Sequence, residues 1–393
     1  MSVTQQEIDS LFERSGTGPL SGIVVADFGR VLAAPYCTML LADMGATVLK
    51  VESLEGDETR SWMPPVFEGE STYYMSINRN KHSIALDFRN PDDLEIARKI
   101  AAKSDVFVEN FKPHGLARFG LDYASVQALN PTVIYASVTG FGTTGGADLP
   151  GYDLLVQGAA GLMSLTGAPE TVPFRAGVAV FDVFTGLHTC IAILAALQHR
   201  TNTGEGQLVE LNLMSTALSA MVNQTGAYAI AGVTPRRLGN EHPSIYPYSP
   251  FPTSDGDIIL AIGNDHQFKV FAETIGAPEL LDDARFATNR DRSQHRDALR
   301  PILEQILQTK TTAEWFELFR AKSLPCAPIN DVAQGIQFAE SIGLEPIVTV
   351  GQGEKTQPGV RNPTLFSKTP VTYDLVPPTL NQSGDAIRAW AQQ

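Results

Sequence analysis

Short apolar runs alternate with helical stretches through the first half of this chain, and such alternation builds parallel strands joined by helices. Ile23 to Phe28 reads as a buried strand, Pro35 to Met44 as a helix, and Thr47 to Val51 as the next strand. Pro35 suits a first helical turn, because the N–H that proline lacks would find no partner there, and Gly45 marks the stop. The unit recurs, with Asp93 to Lys103 helical and with Asp105 to Glu109 and Thr132 to Val138 as strands. Parallel neighbours need helical crossovers, so the expected class is α/β, with a Rossmann-like doubly wound sheet in a large domain.

The second half is less regular. Gly140 to Gly151 breaks the pattern, Leu208 to Leu213 alternates like a strand, and Ser215 to Ala231 reads as a helix. Pro- and Tyr-rich sequence from Pro235 to Pro252 reads as a linker or active-site loop, and regular structure restarts at Ile258 and runs to about Asn330. The expected division is a large α/β domain over residues 1–220, a linker and smaller α+β domain over 221–330, and a C-terminal segment, 331–393, that returns to the large domain. A chain of 393 residues, 43% of them hydrophobic, can bury cores of that size. Its net charge of −14 argues against nucleic acid as a partner, since phosphate backbones call for a basic surface. Cys37, Cys190 and Cys326 are far apart and form no CxxC, so neither a zinc site nor a disulfide framework is expected. The start, Met1 to Asp9, is polar and acidic, unlike a signal peptide. The longest apolar stretch, around Ile191 to Leu197, reads as too short to span a bilayer, so a cytoplasmic protein with no membrane partner is expected.

Several segments carry candidate chemistry. The first strand-to-helix turn, Asp27 to Pro35, lacks GxGxxG, which argues against a dinucleotide enzyme despite the sheet pattern. Asn78-Arg79-Asn80-Lys81-His82-Ser83 is a dense polar cluster, and Arg89, Lys112, His114 and Arg118 add positive charge near strand ends, where α/β proteins bind ligands. Asn110-Phe111 belongs on the same rim. Gly140 to Gly146 reads better as a turn than as a phosphate cradle, since no Gly-Lys-Ser/Thr follows. His188 reads as a packed residue, and His242, in a loop, has the stronger functional claim. Asp182 stands out most, because it is a carboxylate in an apolar run that continues into the helical pattern Leu187, Ile191, Leu194 and Leu197. Burying its charge is costly unless hydrogen bonds satisfy it. Position alone favours a helix N-cap, and a fixed, partly desolvated nucleophile is the chemical alternative.

Five stretches together resemble the class III coenzyme A transferases, a family related to the α-methylacyl-CoA racemases. They are Asp27 to Pro35, Leu40 to Ala46 through Lys50-Val51-Glu52, Asn78 to Asp87, Val108 to Pro113, and Asp182 through Thr185-Gly186 to Gln207. The resemblance implies that Asp182 is the catalytic aspartate and that coenzyme A contacts fall at Val31, Ala33, Leu86, Arg89, Asn110, Phe111 and Arg118. It implies substrate contacts at Tyr152, Asp153, His242 and Leu32, acyl-CoA and carboxylate substrates without a tightly bound cofactor, and an interlocked homodimer. Where racemases have Gly-His-Asp, this chain has Gly151-Tyr152-Asp153, and tyrosine is a poor base at neutral pH, which favours transfer over racemisation. Where some members have an arginine after the strand-end glutamate, this chain has Ser53, so a phosphate contact is expected to move to Arg60 or Lys81. The loop from Gly239 to Tyr248 looks most like members that act on short dicarboxylates with succinyl-CoA as donor. Arg175, Arg236, Arg237 and His242 are candidate partners for a second carboxylate. A racemase, and a non-catalytic acyl-CoA-binding protein, are the alternatives.

Overall fold

The computed structural model describes residues 3–13 and 16–393, which form two compact units. The large unit comprises the chain to Leu162, Arg175–Val233 and Glu345–Gln393. Its six parallel strands are β1 (Val24–Asp27), β2 (Thr47–Glu52), β3 (Lys81–Ala85), β4 (Val106–Glu109), β5 (Ile134–Thr139) and β6 (Gln207–Asn212). They lie in the order β3-β2-β1-β4-β5-β6, in register at Val25↔Val48, Val25↔Val106 and Ile134↔Gln207. The doubly wound expectation holds. Chain progression reverses between β1 and β4, and the carboxyl ends of those two strands bound a crevice.

Alternation along each strand serves two cores. Phe107 and Tyr135 face one side with Leu49 and Ile84, under α2 (Pro91–Lys103) and α10 (Gly384–Gln392). Val106, Val108, Ile134 and Ala136 face the other, under α1 (Ala33–Asp43) and α4 (Val180–Thr203). A sheet covered on both faces accounts for strands that read as continuous apolar runs.

Three expectations need correction. Strand β3 starts inside the polar cluster at Asn78 to Ser83, because those side chains are buried and paired; Arg79 donates twice to Asp43, and Lys81 bonds Asp27 at 3.0 Å. The helix read over Ser215 to Ala231 is two, α5 (Leu213–Ala220) and α6 (Val222–Ala231), broken at Met221. The apolar stretch around Ile191 is also longer than it reads. Helix α4 runs 24 residues with a mean hydropathy of 1.9 over its most apolar window, long and apolar enough to cross a bilayer. In this fold Cys190, Ile193, Ala196 and Leu197 pack instead into the second core.

The small unit comprises Met163–Phe174 and Thr234–Leu344. Residues 221–233 therefore belong to the large unit and 331–344 to the small one, a shift from the boundaries read in the sequence. Strands β7 (Tyr248–Pro252), β8 (Asp257–Ala261) and β9 (Cys326–Pro328) pair antiparallel in the order β9-β8-β7. Helices α7 (Asp265–Thr274), α8 (Arg296–Leu307) and α9 (Thr312–Ala321) cover them around Phe251, Ile258, Phe268, Leu303 and Trp315. The sequence-distant insertion is tied in through Gly239, whose N–H donates to the Gly167 carbonyl at 3.1 Å.

The C-terminal segment closes the large unit. Asn80 exchanges hydrogen bonds with Leu375, the Ala85 N–H donates to Asn381 at 3.0 Å, and α10 buries Ile387 and Ala391. The polar residues of the Asn78 to Ser83 cluster thus hold the chain's end rather than a solvated rim.

Candidate active site

Two loops meet across the crevice at the strand carboxyl ends. After β1, the Arg30 N–H donates to Asn110 Oδ1 at 2.9 Å, and Asn110 Nδ2 returns a bond to the Arg30 carbonyl at 2.8 Å. The Arg30 guanidinium lies 5.3 Å from the Phe111 ring centre. Val31, Leu32 and Ala33 lead into α1, whose first turn no side chain caps. Because Pro35 has no N–H, Ala33 and Ala34 supply the open N–H groups of that turn, and with the helix dipole they favour an anion. Beside them, Phe88 packs against Phe28 at 6.0 Å and Phe119 at 5.4 Å, which gathers the segments that carry Leu86, Arg89 and Arg118. Leu86 is buried; Arg89 pairs with Asp87, and Arg118 rests on the Phe119 ring. The structure therefore brings together the positions expected to contact coenzyme A.

Neither expected replacement for the missing arginine is free to bind a phosphate. Arg60 is held by two bonds to Glu52, at 2.8 and 2.9 Å, and also donates to the Tyr74 hydroxyl. Lys81 is fully buried, bonding Asp27, the Pro35 carbonyl and Asn78 at 2.9–3.0 Å. Burial pulls its ammonium down to about 8, although Asp27 works against this. Both residues are committed to structure, since Glu52 and Tyr74 hold Arg60 while Asp27, Pro35 and Asn78 hold Lys81.

Asp182 is the third residue of α4 and not its cap. The capping atom belongs to Asp153, whose Oδ1 accepts the Phe181 N–H at 2.7 Å and the Asp182 N–H at 3.2 Å. Asp153 reaches that position because the backbones of Gly140 and Gly151 touch; a Cβ on Gly140 would stand 2.2 Å from the Gly151 Cα. That contact returns the chain to the end of β5 just before α3 (Asp153–Ala159), with the exposed Tyr152 at its start. Gln157, one turn on, bonds Asp153 and accepts from the Ala176 N–H at 2.8 Å, shaping the approach to α4.

Relieved of capping, the Asp182 carboxyl is half-buried beside a second carboxylate. Burial, and then the charge of Asp153, push it up to about 7. Gly186, four residues on and so on the same helix face, meets the first turn of α1; a Cβ there would stand 2.7 Å from the Ala33 carbonyl oxygen. Ala33 also shares an apolar cluster with Phe181. Asp182, one turn before Gly186 on that face, therefore lies close to this crossing.

Two further residues were not legible as site candidates. Burial, then Asp182 and Asp153, push the Tyr73 hydroxyl up to about 12, so it stays a donor near the two carboxylates. Its ring meets Trp62 edge-on at 5.0 Å in an open cavity of about 630 Å³ that Met63, Pro64 and Pro65 also line. Glu109, at the end of β4, is pushed by burial up to about 7 and accepts the Phe111 N–H at 2.8 Å. Nothing local in the sequence ties Tyr73 or Glu109 to Asp182, which lies more than seventy positions further on.

His242 lies in the small unit, its ring 5.1 Å from that of Tyr248 and its Nδ1 accepting from the Ser244 N–H. Arg237 of the same unit donates to the Ala168 carbonyl at 3.3 Å, and Arg175 is exposed in the large unit. Among the described residues no group of three His, Cys, Asp or Glu side chains could hold a metal ion.

A doubly wound sheet with an open helix start and a raised carboxyl at its carboxyl edge, but without a dinucleotide glycine motif, is an α/β enzyme site that is not built for a nicotinamide cofactor. The chain belongs to CoA-transferase family III, whose model matches residues 20–384. It is 43% identical over 376 residues, 93% of either chain, to the succinate–glutarate CoA-transferase of Agrobacterium fabrum. To the human succinyl-CoA:glutarate CoA-transferase it is 38% identical, covering 93% of this chain and 84% of that one. Among solved structures, a CaiB/BaiF family protein from Brucella suis superposes with a TM-score of 0.87 at 41% identity, over 95% of this chain and 100% of that one. The protein is therefore a family III CoA-transferase, acting on coenzyme A thioesters.

Proposed function

We propose that the enzyme moves coenzyme A from succinyl-CoA to a short dicarboxylic acid, glutarate foremost, with Asp182 as nucleophile. The observation that carries this is the Asp182 carboxyl, set apart from capping, partly desolvated and one helical turn from the crossing of α4 with α1. A carboxylate suits the task because it is chemically equivalent to donor and acceptor, so no intermediate falls into a deep well.

In the proposed sequence, Asp182 attacks the thioester carbonyl and expels coenzyme A as the thiolate, leaving a mixed anhydride. The thiolate then attacks the aspartyl carbonyl and releases succinate, which leaves coenzyme A on Asp182 as a thioester. The acceptor carboxylate attacks that thioester, and the freed thiolate attacks the acceptor's carbonyl in the second anhydride. The new acyl-CoA departs and the Asp182 carboxylate is restored, with no net proton transfer. N–H groups at the start of α1 and the Tyr73 hydroxyl are suited to stabilise the tetrahedral oxyanions. Trp62 and Tyr73 offer an apolar wall for the acyl chain. Arg175, in the large unit with Asp182, is the candidate for the distal carboxylate, and the names of the glutarate-active relatives support a dicarboxylate acceptor. The resemblance further implies an interlocked homodimer as the active form.

The test is to incubate the protein with succinyl-CoA and a panel of free acids, glutarate, oxalate and carnitine included, and to identify new thioesters by mass spectrometry. Formation of glutaryl-CoA, together with a coenzyme A adduct at Asp182 that Asp182→Ala abolishes, is expected. No exchange with any acid would sink the transfer chemistry proposed here. Solvent deuterium entering the α-carbon of a 2-methylacyl-CoA would instead identify a racemase.

A further inference from the structure

The turn from β1 into α1 contains a backbone anomaly. Val31 has φ 65°, in the left-handed region, where a β-branched residue is a genuine outlier. Nothing in Val31 itself favours that conformation, so its surroundings must impose it. Its N–H donates to Asp57 Oδ1 at 3.3 Å. The same oxygen accepts from the Thr59 N–H and hydroxyl, at 3.0 and 2.8 Å, and Asp57 Oδ2 accepts from Lys50 Nζ at 2.9 Å. Lys50 also donates to the Gly29 carbonyl at 3.0 Å, while the Gly29 N–H donates to Asp27 at 2.9 Å. The Lys50 and Asp57 side chains are 0% and 1% exposed. A buried ion pair is poor evidence for stability, because desolvation offsets most of its attraction, but it imposes geometry well.

We propose that Asp57, oriented by Lys50, is a positioning residue for coenzyme A transfer: it holds Val31 left-handed and so sets the first turn of α1 where Asp182 needs it. The turn is tied from both sides, since Asn110 brackets Arg30 while Asp57, Lys50 and Asp27 bracket Val31 and Gly29. With the clamp released, Val31 relaxes to negative φ and the open N–H groups of α1 swing away. This inference rests on Asp182 as the nucleophile, and the clamp also has a signature that does not depend on turnover.

The experiment compares Asp57→Asn in the native background and in Val31→Gly, because glycine adopts positive φ without strain. With Val31 present, kcat should fall on the order of tenfold or more, with KM for the acceptor acid changed far less. In the Val31→Gly background the same replacement should lower kcat less than about threefold relative to Val31→Gly alone. Hydrogen exchange of the unliganded protein should quicken over residues 28–36 in Asp57→Asn and not in the double variant. An equal loss of kcat in both backgrounds, no loss in either, or exchange that quickens evenly across the large unit would overturn the clamp. If Asp57→Asn strands Lys50 and unfolds the chain, Lys50→Met with Asp57→Asn removes both charges and supports the same comparison. Should the native protein transfer coenzyme A to no acid, the proposed function fails, and the exchange measurement alone decides the clamp.

Discussion

Asp182 and Asp153 divide between them two tasks that one carboxylate could not perform together. A carboxylate that caps a helix accepts from its backbone N–H groups, and those bonds occupy the lone pairs a nucleophile would need. Asp153 accepts the Phe181 and Asp182 N–H groups, which leaves the Asp182 oxygens for chemistry and its carboxyl at about 7. Since the nucleophile must be ionised, kcat/KM should rise with pH through about 7 and level above it. A profile that stays flat down to pH 5.5 would argue against this carboxyl as the attacking group. Stability carries the opposite sign. Asp182 binds its proton more tightly folded than unfolded, so its ionisation destabilises the fold progressively from about pH 4, and the penalty is complete above about 7. Asp182→Asn should therefore match the native protein near pH 4 and exceed it by about 1–2 kcal/mol at pH 8, the half-exposed side chain having been allowed for. Urea unfolding at the two pH values measures the difference. The sequence showed Asp182 as an isolated carboxylate but assigned it the cap, because the residue that caps the helix lies 29 positions earlier.

At the scale of elements, the site depends on how closely α4 crosses the start of α1. Gly186 permits that crossing, and a methyl group there would meet the Ala33 backbone oxygen at 2.7 Å, a contact no rotamer relieves. Gly186→Ala should separate the two helices, destabilise the large unit by about 1–3 kcal/mol and lower kcat by an order of magnitude or more. Parallel measurement of urea midpoints and turnover would show whether activity falls further than stability explains. Helices α1 and α4 and strands β1, β2 and β4 were legible within a few residues, the helices from apolar spacing and turn signals and the strands as short apolar runs. Strand β3 was not, because Lys81, His82 and Ser83 are polar and buried at once, and their burial depends on Asp27, Glu52 and the C-terminal segment. A window of ten residues carries no trace of those partners.

For the whole molecule, the chain leaves the large unit and returns to it, so its last residues complete a core laid down by the first. Helix α10 buries Ile387 against α2, on the far side of the sheet from α4. Ile387→Ala should cost about 2–4 kcal/mol of stability while leaving kcat of the folded fraction unchanged. Thermal unfolding together with steady-state turnover below the transition would register both halves of that outcome. A comparable loss of kcat would place the C-terminal helix in the catalytic machinery instead.

Local periodicity in the sequence determined the alternation of strands and helices, and with it the doubly wound sheet and the carboxyl edge where a ligand belongs. The motif set determined the family. Tertiary structure alone decided which polar residues are buried, which carboxylate caps α4, and which cations are already committed. Arg60 and Lys81 lost their expected phosphate role to Glu52 and Asp27, and Val31 took up its conformation under Asp57, 26 residues away. The physical reason is common to all of them. The state of a buried charge is set by partners brought near in space, and spacing along the chain does not encode who those partners are.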